Sequence, residues 1–269
     1  MTATILSEIL DRKREVVTRF RADSASRNLR DRTTAIRANA TPHRLLRALE
    51  SNSRGVKIIT EFKRRSPSAG TIRSDMSATD IATRYERGGA CAISVLTDEH
   101  YFGGSIRDLA AIRASTALPL LRKDFIIDEL QIYEAADAGA DAVLLIVAAL
   151  DDSALAKLRA IAEEELGLDA VVEVHTSEEL RRAVNAGARI IGVNNRDLRT
   201  FRTALETSER LIAEAPPDRI MISESGLRNS ESLRRLRTLG FRAFLIGEAL
   251  MRTPDPEAAV RDFIAGARR

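Results

Sequence analysis

The sequence predicts an α/β fold, and three observations carry the prediction. Short apolar runs recur from residue 56 onward, helical patterns separate them, and a glycine stands just before several of the runs. Apolar runs alternating with helical spacing mark βαβ units and a parallel sheet. A glycine in that place is the expected left-handed cap of the preceding helix. The runs are VKIITEF (56–62), CAISVLTD (91–98), PLLRKDF (119–125), AVLLIVA (142–148), AVVEVH (170–175), RIIGVNN (189–195), RIMISES (219–225) and AFLIGEA (243–249). The glycines fall in ERGGA, ADAGA, VNAGA and RTLGF. Eight strand-plus-helix units over the chain beyond residue 55 fit a (β/α)8 TIM barrel, closed by right-handed crossovers. An open doubly wound sheet is the alternative, and the lack of a GxGxxG after the first strand counts against it.

Taken in order, residues 1–55 read as a helical N-terminal extension, with Ile5, Ile9 and Val16 and then Leu45, Leu46 and Leu49 as its apolar positions. No Pro/Gly-rich linker separates them from the first strand, so residues 1–269 are expected to form a single barrel domain on which the extension packs. Helix starts are signalled by Ser77 with Asp80, by Thr176 with Glu179, and by Asp255 before Pro256 at a first helical position.

Composition narrows the function classes. With 269 residues, 44% of them hydrophobic, the chain can bury one large core. Basic and acidic residues nearly balance at 42 to 39, but residues 1–55 hold 12 Lys or Arg against 6 Asp or Glu. That basic arm has few aromatics and no compact Lys/Arg run, which argues against nucleic acid; attraction of a small anionic substrate is the use that fits. Cys91 is the only cysteine, so an intrachain disulfide and a CxxC site are excluded, as expected in a reducing cytoplasm. No apolar stretch approaches a membrane span and the N-terminus lacks a signal-peptide pattern. His43, His100 and His175 show no paired spacing, so no metal is expected.

Strands covered on both faces should read as nearly continuous Val, Ile and Leu. Here polar residues interrupt the carboxyl ends: Glu61 and Lys63, Lys123 and Asp124, Glu173, Asn194 and Asn195, Ser223 and Glu224, Glu248. In a barrel that end supplies catalytic groups from several strands to one mouth. Side chains two apart share a face, so Leu121, Lys123 and Phe125 go together, as do Val171, Glu173 and His175. Two lysines and two glutamates from three strands then converge. Burial lowers a lysine pKa and raises a glutamate pKa while opposite neighbours restore the charge, which suits a reaction with several proton transfers. SESG (223–226) and LIGEA (245–249) place glycines after the seventh and eighth strands, the usual phosphate position of this fold, and Ser66 can add a hydroxyl.

Seven stretches resemble the indole-3-glycerol phosphate synthase family: EFKRRSPSAG (61–70), SVLTDEHYFGGS (94–105), LRKDFIID (121–128), VEVHT (172–176), IIGVNNRDLRTF (190–201), SESG and FLIGEALM (244–251). They run in family order over essentially the whole chain. The resemblance implies cyclisation of 1-(o-carboxyphenylamino)-1-deoxyribulose 5-phosphate with loss of CO2 and water, and no cofactor. It implies that Lys123 is the general acid toward the ribulose carbonyl and that Lys63 holds the substrate carboxylate and protonates the departing hydroxyl. Glu173 stabilises positive charge or acts as a base in dehydration, Glu61 positions Lys63, and Asn194 joins them. By the same resemblance Phe102, Phe125 and Leu144 are expected to pack around the aromatic ring, with Arg196, Leu198 and Leu245 as further contacts, and Ser66, Ser225, Gly226, Gly247 and Glu248 are expected to hold phosphate, the last through its N–H. Ala69 stands where the family often has lysine, and Ala249 where it has serine. A monomer is expected. The runner-up, a related phosphate-binding barrel such as a phosphoribosylanthranilate isomerase, is preferred only if the charged mouth fails to converge. A non-catalytic barrel binding anions through its basic arm is the reading from another class.

Overall fold

Eight parallel strands close on themselves in chain order. They are β1 (Lys57–Phe62), β2 (Ala92–Leu96), β3 (Leu120–Lys123), β4 (Ala142–Ile146), β5 (Asp169–Val174), β6 (Ile190–Asn194), β7 (Ile220–Glu224) and β8 (Ala243–Ile246). The computed structural model describes residues 5–51, 56–67, 69–197 and 202–268. Closure is made at β1, where Ile59 pairs with Ala92 on one side and with Leu245 on the other. Each strand coincides with one of the eight apolar runs. The last run is shortened because Gly247 (φ −115°, ψ −78°) turns the chain out of β8 into a helix.

Helices α1 (Ile5–Ala22), α2 (Leu29–Arg37) and α3 (Arg44–Glu50) precede the barrel. The wall consists of α4 (Ala78–Gly88), α5 (Glu99–Phe102), α6 (Ile106–Ser115), α7 (Glu129–Asp137), α8 (Asp152–Ala160), α9 (Ser177–Asn185), α10 (Glu206–Ile212), α11 (Ser230–Leu239), α12 (Glu248–Met251) and α13 (Pro256–Arg268). Ser77 and Thr176 accept from the N–H groups of Asp80 and Glu179, and Asp255 accepts from Ala258 N–H, as the sequence signals require. The four predicted helix-ending glycines, Gly89, Gly139, Gly187 and Gly240, all have positive φ.

Alternation along the strands makes two cores. Ile58, Phe62, Ile93 and Val143 face the helices, while Ile59, Ala92, Leu121, Leu144, Val171 and Ile222 fill the interior. At about 1.5–3 kcal/mol for each large side chain, burial on both faces dominates the stability of the barrel. Leu45, Leu46 and Leu49 of α3 join the interior core, and Leu46 N–H donates to Asp169 Oδ2 (3.0 Å) at the start of β5. α3 therefore closes the amino end.

The buried stripe of α1 is Ile9, Leu10, Lys13 and Val17. This corrects the predicted Val16, which is 41% exposed, because 3.6-residue periodicity carries it off the stripe and puts Val17 there. Four arginines of the basic arm pair with the barrel: Arg21 with Asp128, Arg30 with Glu165, Arg32 with Asp137 and Arg44 with Asp141. Among the described residues no helix is long and apolar enough to cross a membrane.

Candidate active site

Inward-facing polar side chains collect at the carboxyl ends of β1, β3, β5, β6 and β7. Glu61 and Lys63, two residues apart at the end of β1, bond to each other: Lys63 Nζ donates to Glu61 Oε1 (2.6 Å). Lys123, at the end of β3, donates to Glu173 Oε2 (3.1 Å) and to Glu224 Oε2 (2.6 Å). Asn194 Nδ2 donates to Glu173 Oε1 (3.1 Å), and Asn194 Oδ1 accepts from Arg196 N–H (3.0 Å). Asn194 thereby fixes Glu173 and the turn after β6 together. The two-lysine, two-glutamate mouth converges, with a third glutamate inside it.

That third group, Glu224, was only half legible. The sequence marks Ser223 and Glu224 together as polar, and the structure turns them apart. Ser223 Oγ faces outward, 2.8 Å from Ser208 Oγ and accepting from Asn195 Nδ2 (3.0 Å), so these residues fasten α10 to β7. Glu224 shares the inward face with Ile222. Gly192 in β6 supplies its room, since a Cβ there would come within 2.1 Å of Glu224 Oε1. The parity of β7 combined with a glycine in mid-strand was the available signal. Asp124 likewise points outward, away from Lys123.

Electrostatics separate these groups. Burial favours a neutral Lys123, but Glu224, then Glu173 and Glu61, outweigh it and hold the ammonium charged well above the ordinary lysine range. Glu224 moves up to about 7, chiefly through burial and with Glu173 adding to it, although Lys123 opposes the shift. Its Oε1 is buried and has no hydrogen-bond partner among the described residues. The group that titrates near neutrality is thus a glutamate, and the lysine stays charged.

Two compartments open beside this cluster and share Glu61, Lys63, Lys123, Arg196 and Ser225. One, of about 90 Å³, is apolar and walled by Leu96, Phe102, Phe125, Leu144 and Ile146, with the two phenylalanine rings 6.3 Å apart. Ser66 lines this one. The other, of about 490 Å³, runs past Ser225, Gly226, Leu245, Gly247 and Glu248 with Arg196, Arg228 and Arg252 around it. Ser225 and Gly226 both have positive φ (67° and 76°), which turns the backbone tightly there. Arg252 Nε donates to Glu248 Oε1 (3.0 Å), and Glu248 Oε2 lies 3.9 Å from Arg196 Nη2. Wider cavities of about 550 and 690 Å³ lie under α1 and at the amino end, so charge convergence and not volume singles out the mouth. Leu198 lies outside the described residues. His175 Nδ1 sits 2.7 Å from the Asn194 carbonyl oxygen.

Comparison with known proteins adds an independent finding. Residues 6–263 match the family model described as indole-3-glycerol phosphate synthase. Proteins of that name are similar over most of their length. The one from Bacteroides thetaiotaomicron is 44% identical over 262 residues, covering 97% of each chain. The one from Roseiflexus sp. is 46% identical over 272 residues, covering 98% of this chain and 99% of its own. The one from Carboxydothermus hydrogenoformans is 48% identical over 221 residues, covering 81% and 83%. Among solved structures, thiamine phosphate pyrophosphorylase from Pyrococcus furiosus superposes with a TM-score of 0.59 at 18% identity, covering 77% of this chain and 93% of its own, which is a likeness of fold alone.

Proposed function

The chain belongs to the indole-3-glycerol phosphate synthase family, and we propose that the charged mouth of its barrel carries out the reaction. The activity is that of a carboxy-lyase in tryptophan biosynthesis: ring closure, decarboxylation and dehydration of 1-(o-carboxyphenylamino)-1-deoxyribulose 5-phosphate give indole-3-glycerol phosphate.

In this reading the aromatic ring enters the apolar compartment among Phe102, Phe125 and Leu144, and the phosphate enters the wider one. There Ser225, Gly226, Gly247 and the Glu248 N–H hold it, with Arg196 and Leu245 beside them; Ser66, expected at the phosphate, lines the apolar compartment instead. The Glu248 carboxylate, tied to Arg252, is kept from opposing the anion. As the ring carbon attacks the ribulose carbonyl carbon, the carbonyl oxygen takes a proton from Lys123. An ammonium stabilised by three carboxylates is a poor acid toward water, but an oxygen becoming an alkoxide is basic enough to take its proton. Glu224, titrating near neutrality 2.6 Å away, returns a proton to Lys123. Lys63 holds the substrate carboxylate until it departs as CO2 and then protonates the leaving hydroxyl, with Glu61 fixing its position. Glu173, oriented by Asn194, stabilises the cationic intermediate and takes the proton lost in dehydration.

The observation that carries this assignment is Lys123 Nζ, bonded to two glutamates beside an apolar pocket of ring size. The test is the fluorescence rise of indole-3-glycerol phosphate with purified protein, run beside Lys123→Ala. Turnover by wild type and a loss of roughly 10³-fold or more in the variant support it; no turnover by folded wild type overturns it. The same reading has residues 1–55 acting as part of one barrel domain, and a monomer working in the cytoplasm, where a lone thiol at Cys91 stays reduced.

A further inference from the structure

A lysine occupies a core position of α1. Lys13 belongs to the helix's buried stripe, is only 6% exposed, and reaches over the carboxyl ends of β2 and β3. Its Nζ lies 2.9 Å from Asp98 Oδ2 and 2.7 Å from Asp124 Oδ1. Neither carboxylate bonds to the lysines and glutamates of the mouth, yet each holds a piece of it. Asp124 follows Lys123 directly, and its Oδ1 accepts the N–H of Phe125 (2.7 Å). Asp98 caps α5 by accepting the N–H of Tyr101 (2.8 Å), and α5 ends at Phe102. Lys13 is therefore the point at which the general acid and both phenylalanines of the aromatic wall are tied together.

The surrounding charges leave no substitute for it. Arg122, the other buried cation of the cluster, is committed to Asp124 (3.2 Å) and Glu134 (2.8 Å). Among the described residues, Lys13 is the one cation within ion-pair distance of Asp98. Two cations face three carboxylates as it stands; without Lys13 one cation faces three, two of them buried. A buried carboxylate stripped of its partner, as Asp98 would be, moves toward water or takes up a proton, which displaces α5; Asp124 keeps Arg122 and the Thr97 hydroxyl (2.7 Å) but loses the contact that ties the end of β3 to α1.

We propose that Lys13 is a positioning residue of the indole-forming reaction, setting the relation between Lys123 and the Phe102–Phe125 wall through Asp124 and Asp98. The proposal rests on the reading of the mouth given above. It makes the N-terminal extension part of the active-site frame, since Lys13 reaches from outside the barrel to residues that adjoin the general acid and the aromatic wall.

The experiment compares steady-state kinetics at 25 °C, together with Tm, for three variants. Lys13→Met is expected to lower kcat by about 10- to 100-fold, the cost of misplacing a reacting group by roughly 1 Å, and to raise KM several-fold. Asp98→Asn keeps a competent helix cap and leaves Asp124 bonded to Lys13. It should raise KM about threefold or more with kcat within about twofold, because only the binding wall is loosened. Val260→Ala, buried in α13 far from the mouth, should lower Tm without changing either constant. Lys13→Met with the kinetics of Val260→Ala would overturn the proposal. Should Lys13→Met not fold, a wild-type KM in Asp98→Asn would do the same. Failure of the underlying reading looks different: wild type itself would give no product.

Discussion

The two ends of the barrel both bury charge, and they finish it differently. At the amino end Asp141 has every oxygen engaged: Arg44 reaches Oδ1 (2.8 Å), while Arg113 (2.9 Å) and Leu120 N–H (3.0 Å) reach Oδ2. Asp169, beside it, accepts from Leu46 N–H and lies 3.1 Å from His43 Nδ1. At the carboxyl end Glu224 keeps one buried oxygen without a partner among the described residues, and the ammonium it binds borders two open compartments. Buried charge as such marks neither structure nor function. At the amino end Asp141 and Asp169 bind α3 to the barrel, whereas at the carboxyl end the charged cluster borders the compartments proposed for the substrate.

Substitutions at each end should separate the two roles. The largest effect is expected for Glu173→Gln, which keeps the shape and removes the charge facing Lys123: kcat should fall by roughly 10²- to 10⁴-fold, with Tm little changed in a thermal melt. Asp141→Ala should do the reverse. It strands Arg44, Arg113 and the Leu120 N–H, costing about 3–5 kcal/mol in denaturant unfolding, while kcat of the folded enzyme stays near wild type. If Asp141→Ala lost activity at full stability, the contrast between the ends would collapse.

A subtler test uses pH. The Glu224 pKa is raised from 4.5 to about 7, so between those values the folded protein holds a proton that the unfolded chain has released. Its contribution to stability is full below about pH 4.5 and is lost as pH rises through about 7. Glu224→Gln should flatten that part of the stability profile, by up to about 1.4 kcal/mol per pH unit. An unchanged profile would mean that Glu224 is ionised throughout. Smallest is Gly192→Ala, whose methyl would press on Glu224 Oε1; a roughly tenfold fall in kcat, about 1.4 kcal/mol of barrel-mouth geometry, is expected from initial rates.

The repeated strands were legible because a parallel sheet covered on both faces leaves a simple apolar record, and because Gly89, Gly139, Gly187 and Gly240 punctuate it. Lys63, Lys123 and Glu173 were legible as interruptions of that record. Two things were not. The pairing of Asp124 with Lys13 joins residues 111 positions apart, and nothing in the local pattern of either residue announces the other. The stripe of α1 was misread by one residue because a lysine in it looks like surface, and only its two partners make the position a core one. Sequence periodicity sees what one element wants, whereas these features belong to pairs.

The seam between β1 and β8 has a consequence for how the chain is made. Lys57 pairs with Ala243, so no fragment released before the last strand can complete the sheet. Until β8 arrives, β1 and β7 each expose a row of unpaired backbone groups, the kind of edge onto which another chain can add. Synthesis therefore passes through an interval in which seven strands exist and the two edges are unprotected. Closure must await β8, and α13, which lies against α4, α11 and β1, covers the seam after it.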